Sequence, residues 1–343
     1  MAKQDGPEAE PYRAAQEDWP LLSVIIPLYN RAEKIGRVVA ELGGRATASF
    51  EVIIVDDGSK DGSAAAARRA LAASGTLGQV IEQPNGGPGA ARNTGAAAAR
   101  GRWLVFHDSD DGWFPWTLDL LARQIAETAG TATEPALILF REKEVPETAL
   151  AEQLATEAEA PPVLRAFPGS LEAMASGSPI AFGACNLAMR RDVFGALDGF
   201  STAIRYAEDN DLIMRASGQG PCLLILAPAM IALSRGGGDH LTGDPRAAIR
   251  GFSHILQADR GGAYADGPTG PGARHRVTAA IATKLIRRHY EAGHPARALG
   301  IWLRHVPLFL RAGDTNSLSR LPLVPVLATL GLRRYSYFRW RPR

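Results

Sequence analysis

The sequence contains little cysteine and little net charge. Only two cysteines, Cys185 and Cys222, occur among the 343 residues, and their spacing matches no metal-ligand motif. They fit a reducing compartment, and we expect both to be small core residues. The formal net charge is +2, which argues against a dedicated nucleic-acid binder, because such proteins carry clustered basic residues.

The sequence also lacks a secretory signal and a membrane-spanning run. Residues 1–20 have neither the basic nor the apolar region of a signal peptide, so we expect a flexible leader and a cytoplasmic protein. The apolar stretch at residues 321–332 is interrupted by Pro322 and Pro325 and is too short to cross a bilayer.

Apolar residues are plentiful and follow a regular alternation. Hydrophobic residues make up 46% and charged residues 22% of the chain, which is normal for a packed globular protein. In the first third of the chain, short β-branched runs alternate with helical patterns. The expected strands are residues 21–27, 50–55, 79–82 and 103–106, and the expected helices are residues 32–42, 63–73 and 90–99. Strand followed by helix in this rhythm predicts a parallel sheet with crossover helices.

The remainder of the chain is less regular, and its last third is helical in pattern. Residues 142–162 are acidic without an apolar stripe, so we expect a surface excursion or a mobile loop there. A Gly/Pro stretch at residues 261–272 is expected to be flexible. The expected strands are residues 136–140, 183–190, 221–227 and 229–234, and the expected helices are residues 116–128, 192–200, 208–216, 245–259, 275–292 and 295–310.

Acidic residues cluster where expected strands end. The fourth strand leads into Asp108-Ser109-Asp110-Asp111, and two carboxylates about 5 Å apart repel by roughly 3 kcal/mol at an effective dielectric of about 20. Ligands of open α/β sheets bind at the carboxyl ends of strands, so the cluster favours a bound cation. The alternative is a solvated acidic turn that caps the next helix.

Two further acidic pairs and one arginine complete the pattern. Asp56-Asp57 follows the second strand, and Glu208-Asp209 opens a helix, where acidic residues suit the helix dipole. With Arg92, these groups have the parts of a site for a divalent cation and a diphosphate. Mg²⁺ and Mn²⁺ prefer one or two carboxylates together with phosphate oxygens, and such a cation neutralises charge on a leaving diphosphate.

Five motifs in this order resemble the family 2 glycosyltransferases of the GT-A fold, over about residues 21–235. The motifs are Val24-Ile25-Ile26-Pro27-Leu28-Tyr29-Asn30, Val55-Asp56-Asp57-Gly58-Ser59-Lys60-Asp61-Gly62, Asn85-Gly86-Gly87-Pro88-Gly89-Ala90-Ala91-Arg92-Asn93, Asp108-Ser109-Asp110-Asp111 and Glu208-Asp209-Asn210-Asp211-Leu212. Each motif alone is moderately specific, whereas the ordered set is highly specific.

The resemblance implies an α/β architecture of GT-A type, in which helices flank a mostly parallel central sheet and a helical C-terminal extension follows. It implies a flexible leader at residues 1–20 and a glycosyltransferase domain at residues 21–240. The donor half of that domain would be residues 21–142 and the acceptor half residues 163–240. Residues 241–343 would form the helical extension with a basic aromatic tail.

The resemblance also implies roles for residues of the donor half. Pro27 and Tyr29 would line the pocket of the nucleotide base, Asp57 would hydrogen-bond the base, and Arg92 would contact the nucleotide. The Asp-x-Asp of the family would be Asp108-Ser109-Asp110, which binds the ribose and the metal.

Metal binding and catalysis are assigned by the same resemblance. Asp110 would be the principal ligand of Mn²⁺ or Mg²⁺. Apart from the resemblance, His240 lies in a glycine-rich loop typical of a mobile flap and could approach the diphosphate or complete the metal shell. Asp209 would be the general base that takes a proton from the acceptor hydroxyl, so that the sugar transfers in one displacement with inversion.

Several of these residues have simpler alternative roles. Asp61 is expected to cap a helix rather than bind a ligand. Tyr29 could be core packing, Arg92 could pair only with Asp57, and Glu208 rather than Asp209 could be the base. His107 is expected to pack at the end of its strand.

The implied donor is a nucleotide-diphosphate sugar, with a UDP-sugar first, and the implied acceptor is a glycan or a lipid-linked glycan in cell-surface polysaccharide synthesis. Residues 333–343 combine arginines with aromatic residues, which suits the inner face of an anionic membrane, and the alternative is packing on protein. No nucleic-acid partner is expected.

Two other functions compete with this interpretation. A non-catalytic sugar-nucleotide-binding scaffold of a polysaccharide assembly complex is the alternative outside enzyme chemistry. A dinucleotide-binding dehydrogenase is disfavoured, because Arg92 stands where the last glycine of G-x-G-x-x-G belongs and the motif does not follow the first strand.

Overall fold

The computed structural model of the chain describes residues 20–43, 47–235 and 245–320. Residues 1–19 of the expected leader (residues 1–20), His240 with its glycine-rich loop, and the tail at residues 333–343 lie outside these ranges, and the expectations for them stay predictions. Within the described ranges, no helix combines the length and the apolarity needed to cross a bilayer.

Strands make up two sheets. In chain order they are β1 (Leu22–Leu28), β2 (Phe50–Asp56), β3 (Gly78–Glu82), β4 (Trp103–Phe106), β5 (Gly112–Trp113), β6 (Leu137–Phe140), β7 (Glu142–Pro146), β8 (Val163–Phe167), β9 (Leu187–Arg190), β10 (Cys222–Ala227) and β11 (Ile231–Arg235).

Helices lie between and after the strands. They are α1 (Ala32–Gly43), α2 (Ser63–Ser74), α3 (Pro88–Ala98), α4 (Thr117–Thr128), α5 (Leu150–Thr156), α6 (Ser170–Ala175), α7 (Arg191–Ala196), α8 (Glu208–Arg215), α9 (Pro245–Arg260), α10 (Pro271–Glu291), α11 (Pro295–Ala312) and α12 (Thr315–Arg320).

The large sheet has the order β3-β2-β1-β4-β9-β6-β10-β8. The pairs β1–β2, β1–β4, β2–β3 and β6–β10 are parallel, whereas β9 and β8 run antiparallel to their neighbours. A second sheet has the order β5-β11-β7. The predicted α/β class, with a mostly parallel central sheet, flanking helices and a helical C-terminal extension, is confirmed.

Each face of the large sheet has its own hydrophobic core. Val24 and Ile26 of β1 point into a core shared with α1, α2 and α4, and Ile25 points into a core shared with α3, α7 and α8. The continuous apolar run of β1 is therefore the consequence of burial on both faces, as parallel strands require.

Of the two alternatives expected for residues 142–162, the mobile loop is wrong, whereas the position at the surface holds, since most of the segment is exposed. The segment contains β7 and α5, and it packs the buried Leu150 and Leu154 against Gly112. A Cβ at Gly112 would lie 2.8 Å from Leu154 Cδ1. The pairing of β7 with β11 supplies the order, and that pairing joins residues too distant in sequence for a local pattern to reveal.

The Gly/Pro stretch at residues 261–272 is also more ordered than expected, because it ties the helical extension to the sheet domain. Tyr264 is buried, and its hydroxyl donates a hydrogen bond of 2.7 Å to Asp211 Oδ1 in α8. Thr269 donates through its hydroxyl and its backbone N–H to Glu172 Oε1 in α6. Burial and the Asp211 charge raise the pKa of Tyr264, so it stays a donor.

We predict that Tyr264→Phe lowers the free energy of unfolding by about 1.5 kcal/mol, because it removes a buried hydrogen bond to a charged group. Urea unfolding followed by circular dichroism measures the change. The control is Tyr29→Phe, at a side chain that is 48% exposed, and it should change stability by less than about 0.5 kcal/mol. Equal effects of the two substitutions would contradict the proposed tie.

Candidate active site

The carboxyl ends of β1, β2 and β4 bring the acidic motifs to one edge of the sheet. These strands are parallel, with Leu28 opposite Asp56 and Ile25 opposite Phe106. Residues that follow the three strands therefore converge, as expected for ligand sites of α/β sheets.

Asp57 holds the glycine-rich loop that precedes α3. Its Oδ1 accepts hydrogen bonds of 2.8 Å from Gln83 Nε2 and the Gly86 N–H, and its Oδ2 accepts one of 2.8 Å from the Gly87 N–H. The carboxylate is buried. These hydrogen bonds fix the loop, and contact of Asp57 with the nucleotide base stays a prediction.

Asp56 and Asp61 also bind backbone groups. Asp56 Oδ1 accepts from the Ser59 N–H at 2.7 Å. Asp61 accepts from the Ala32 N–H and the Ser63 N–H, each at 3.0 Å, at the beginnings of α1 and α2. Gly62 holds the N-cap position of α2, and Asp61, one residue before it, binds first-turn N–H groups of both helices, as expected of a helix-capping carboxylate.

Tyr29 and Pro27 lie at the end of β1. The ring of Tyr29 is 48% exposed, which excludes core packing as its role. Pro27 is partly exposed. Both are therefore accessible to a ligand.

Arg92 of α3 joins two parts of the site. Its Nη2 lies 2.7 Å from Asp108 Oδ1 and its Nη1 lies 3.0 Å from Glu208 Oε1, while the guanidinium carbon lies 5.4 Å from the centre of the Phe200 ring. The alternative of a pair with Asp57 alone is therefore wrong. Burial by itself lowers the pKa of Arg92, but the charges of Asp108 and Glu208 outweigh it and raise the pKa above its usual value.

Carboxylates after β4 form a compact group with a thiol. Ligand atoms of Asp108, Asp111 and Cys185 lie within 4.8 Å of one another. Cys185 is half-buried at this edge and packs against the hydrophobic core, and burial followed by the charge of Asp108 raises the pKa of its thiol. The thiol is therefore protonated at neutral pH, and the two carboxylates are the oxygen donors that Mn²⁺ or Mg²⁺ prefers.

Asp110 lies beside this group without belonging to it. Its Oδ2 lies 3.6 Å from Arg31 Nε, and its carbonyl accepts a hydrogen bond of 3.1 Å from Arg37 Nη2. The structure thus offers Asp111, as well as Asp110, as a partner of Asp108 for a metal ion.

Ser109 and His107 are buried within the turn. His107 packs edge-on against Trp113, with 4.8 Å between ring centres, and Trp113 Nε1 donates to His107 Nδ1. Burial lowers the pKa of His107 far below its usual value. Its expected packing role is confirmed.

Glu208 and Asp209 occupy the first turn of α8. Asp209 is partly exposed, and its Oδ1 accepts from the N–H and the side-chain amide of Asn210, at 2.7 and 2.9 Å. Glu208 is buried against Arg92. Burial and the neighbouring Asp209 charge raise the pKa of Glu208, and Arg92 opposes the shift. Asp209 is the more accessible of the two carboxylates.

Two positively charged side chains were not among the residues predicted from the sequence. Arg205 is exposed, lies over Gly87, and places Nη1 3.4 Å from Asn85 Oδ1. Lys284 of α10 lies with Nζ 5.8 Å from the centre of the Phe252 ring. Desolvation by the surrounding protein lowers the pKa of Lys284, and the charge of Asp209 opposes that shift. Neither belongs to a local motif, so only folding reveals their position.

Residues 23–157 match the model of the family described as glycosyl transferase family 2. An uncharacterized glycosyltransferase of Haemophilus influenzae is 25% identical over 195 residues, which are 57% of this chain and 61% of that protein. The succinoglycan biosynthesis protein ExoU of Rhizobium meliloti is 40% identical over 101 residues, 29% of each chain. The chain spans from about a quarter to about three fifths of the length of the curated relatives that it matches.

Solved structures share the fold. S. aureus TarS in complex with UDP aligns with a TM-score of 0.56 and 20% identity, over 92% of both chains. The mannosyltransferase PcManGT from Pyrobaculum calidifontis, in complex with GDP-Man and Mn²⁺, aligns with a TM-score of 0.56 and 19% identity, over 93% of this chain and 89% of that chain. The likeness confirms the predicted GT-A type of fold.

We predict that Asp57→Asn lowers the free energy of unfolding by about 1–3 kcal/mol, because an amide nitrogen cannot accept all three N–H groups that the carboxylate binds. It should also speed proteolytic cleavage near residues 83–88. Mass mapping of limited digests and urea unfolding measure both effects.

The matched control is Asp198→Asn, at an exposed position with φ of 54°, a conformation that asparagine tolerates. Digests of the two variants that could not be told apart would contradict the role of Asp57 in holding the loop.

Proposed function

Residues 23–157 belong to glycosyl transferase family 2, and from that premise we propose that the chain transfers a sugar from a nucleotide-diphosphate donor to a hydroxyl of a glycan or lipid-linked acceptor, with inversion. The observation that carries the proposal is the bridge made by Arg92. It holds Asp108, at the end of β4, and Glu208, which precedes Asp209, in one site.

The donor nucleotide would bind at the carboxyl ends of β1 and β2. Pro27 and the exposed ring of Tyr29 offer a surface for the base. The loop that Asp57 fixes presents its backbone beside them. Arg205, which lies over Gly87, supplies a cation that suits the diphosphate.

A divalent cation would be held by carboxylates after β4. Asp108 with Asp110 is the pair implied by the family motif, and Asp108 with Asp111 is the pair whose oxygens lie in one compact group. When bound, Mn²⁺ or Mg²⁺ supplies positive charge that favours departure of the diphosphate.

Asp209 is the proposed general base. Its carboxylate would take the proton of the acceptor hydroxyl as that oxygen attacks the anomeric carbon and the bond from this carbon to the diphosphate oxygen breaks. A single displacement inverts the configuration. The Arg92 contact commits Glu208 to an ion pair, which leaves Asp209 as the better placed base.

A UDP-sugar is the proposed donor, in keeping with the UDP complex of TarS, and the GDP-Man complex of PcManGT makes GDP-mannose the next donor to test. The similarity to ExoU, a succinoglycan biosynthesis protein, favours an acceptor in polysaccharide synthesis. We place the protein in the cytoplasm, with the basic tail at residues 333–343 on the inner face of the membrane.

The second candidate is a non-catalytic scaffold that binds sugar nucleotides. Its distinguishing test is donor hydrolysis. A transferase releases some UDP from its donor when Mn²⁺ is present, whereas a scaffold releases none. A panel of nucleotide sugars tested in this way also identifies the donor.

We predict that Asp209→Asn binds donor with unchanged affinity and loses transfer by at least about a hundredfold, because general base catalysis contributes about 10²–10⁴-fold. Glu208→Gln should instead weaken donor affinity, because it removes a partner of buried Arg92. Calorimetry gives the affinities and product formation gives the rates. Wild-type turnover in Asp209→Asn would remove Asp209 as the base.

We predict that Asp110→Ala abolishes the Mn²⁺-dependent part of UDP binding in a calorimetric titration. The companion variant is Asp111→Asn, which keeps an oxygen to accept the 2.9 Å hydrogen bond from the Ser234 N–H. If the titration of Asp110→Ala is unchanged while that of Asp111→Asn loses its metal dependence, Asp111 replaces Asp110 as the ligand.

A further inference from the structure

The outer face of α11 is apolar. Leu299, Leu303 and Leu310 are exposed by 39%, 58% and 64%, and their spacing places them on one side of the helix. An adjacent side, about 100° further around the helix, is buried through Ala298 and Phe309. A surface helix normally presents polar residues to water, so an apolar face that remains exposed beside the buried side indicates a second partner for that face.

A row of arginines borders these leucines. Arg297, Arg304 and Arg311 recur every seven residues and all three are exposed. Within the three described ranges, none of them has a carboxylate at salt-bridge distance. The row therefore keeps its positive charge available, next to the apolar surface.

A cavity of about 400 Å³ opens beside the arginine row, between α9, α10 and α11. Arg260, Arg304 and His305 contribute polar groups to its lining, and Leu256 and Leu285 contribute apolar surface. Burial lowers the pKa of His305, which keeps the imidazole neutral. In the part of the chain that is described, neither Arg260 nor Arg304 is paired with a carboxylate, so the cavity suits an anion attached to an apolar chain.

We propose that α11 is a peripheral docking surface for an anionic phospholipid bilayer. Leu299, Leu303 and Leu310 would enter the boundary between headgroups and acyl chains, as the apolar faces of interfacial helices do. The arginine row would lie at the level of the phosphates, and a phosphodiester would enter the cavity beside Arg260 and Arg304. None of the residues of this surface belongs to the sequence of the tail at residues 333–343.

The positive charge of the arginine row favours an anionic bilayer over other occupants of the α11 surface. A second copy of the chain would bring its own arginine row against this one, whereas an anionic membrane attracts basic side chains. The chain also continues beyond α12 with Arg333, Arg334, Arg339, Arg341 and Arg343 among aromatic residues. That composition would reinforce attraction to the same surface.

The test is sedimentation of the full chain with vesicles of phosphatidylcholine, with or without phosphatidylglycerol. The wild-type chain should pellet with the anionic vesicles, and the combined change Leu303→Glu and Leu310→Glu should weaken pelleting by at least about tenfold, because binding scales with buried apolar area. Leu77→Glu, at a leucine that is 56% exposed in the sheet domain, is the matched control and should pellet as wild type.

A second pair of variants tests the cations. Arg260→Gln combined with Arg304→Gln should weaken pelleting with anionic vesicles and reduce its dependence on salt, whereas Arg69→Gln, at an exposed arginine of α2, should not. A chain that lacks residues 333–343 should bind more weakly yet still respond to the leucine changes. Thermal unfolding confirms that each variant is folded. Vesicle pelleting does not require transferase activity, so this test can fail independently of the proposed function.

Two outcomes would overturn the proposal. One is pelleting of the double leucine variant at the wild-type level. The other is a wild-type dimer in light scattering that the same leucine changes convert to a monomer without any change in pelleting, which would make the face a self-association surface.

Discussion

A buried guanidinium between two carboxylates is the interaction on which the site depends. Arg92 comes from the helix after the glycine-rich loop, Asp108 from the turn after β4, and Glu208 from α8. A buried charge that loses one partner costs about 3–5 kcal/mol, so the three elements are positioned together. The acidic turn after β4 and the first turn of α8, which holds Asp209, are thereby fixed relative to each other.

The acidic residues of the site have two different roles. Asp56, Asp57 and Asp61 are occupied by backbone N–H groups and fix the loops around the ends of β1 and β2. Asp108 and Asp209 are instead partly exposed at the edge of the sheet, where a ligand could reach them. Loops that are held by these carboxylates need not be ordered by a ligand, which lowers the entropy that binding would otherwise cost.

The strands of the donor half and the long helices were predictable, because burial on two faces or on one side leaves a periodic apolar pattern. β8 was not predictable, since Val163 and Leu164 are exposed and its order comes from pairing with β10. The motifs placed Arg92 and Glu208 in the site, but not against each other, because 116 residues separate them. Arg205 carries no motif at all, and only the fold brings it over Gly87 at this edge.

The short helix α8 is gripped from two directions. Arg92 holds Glu208 from the sheet side, and Tyr264 holds Asp211 from the helical extension, with Asp209 between them. A recombinant exchange of the extension between related proteins would therefore disturb the helix that bears the proposed base. A functional chimera would therefore need to take α8 and the segment that carries Tyr264 from the same parent protein. The crossover would have to lie before α8 in the sequence.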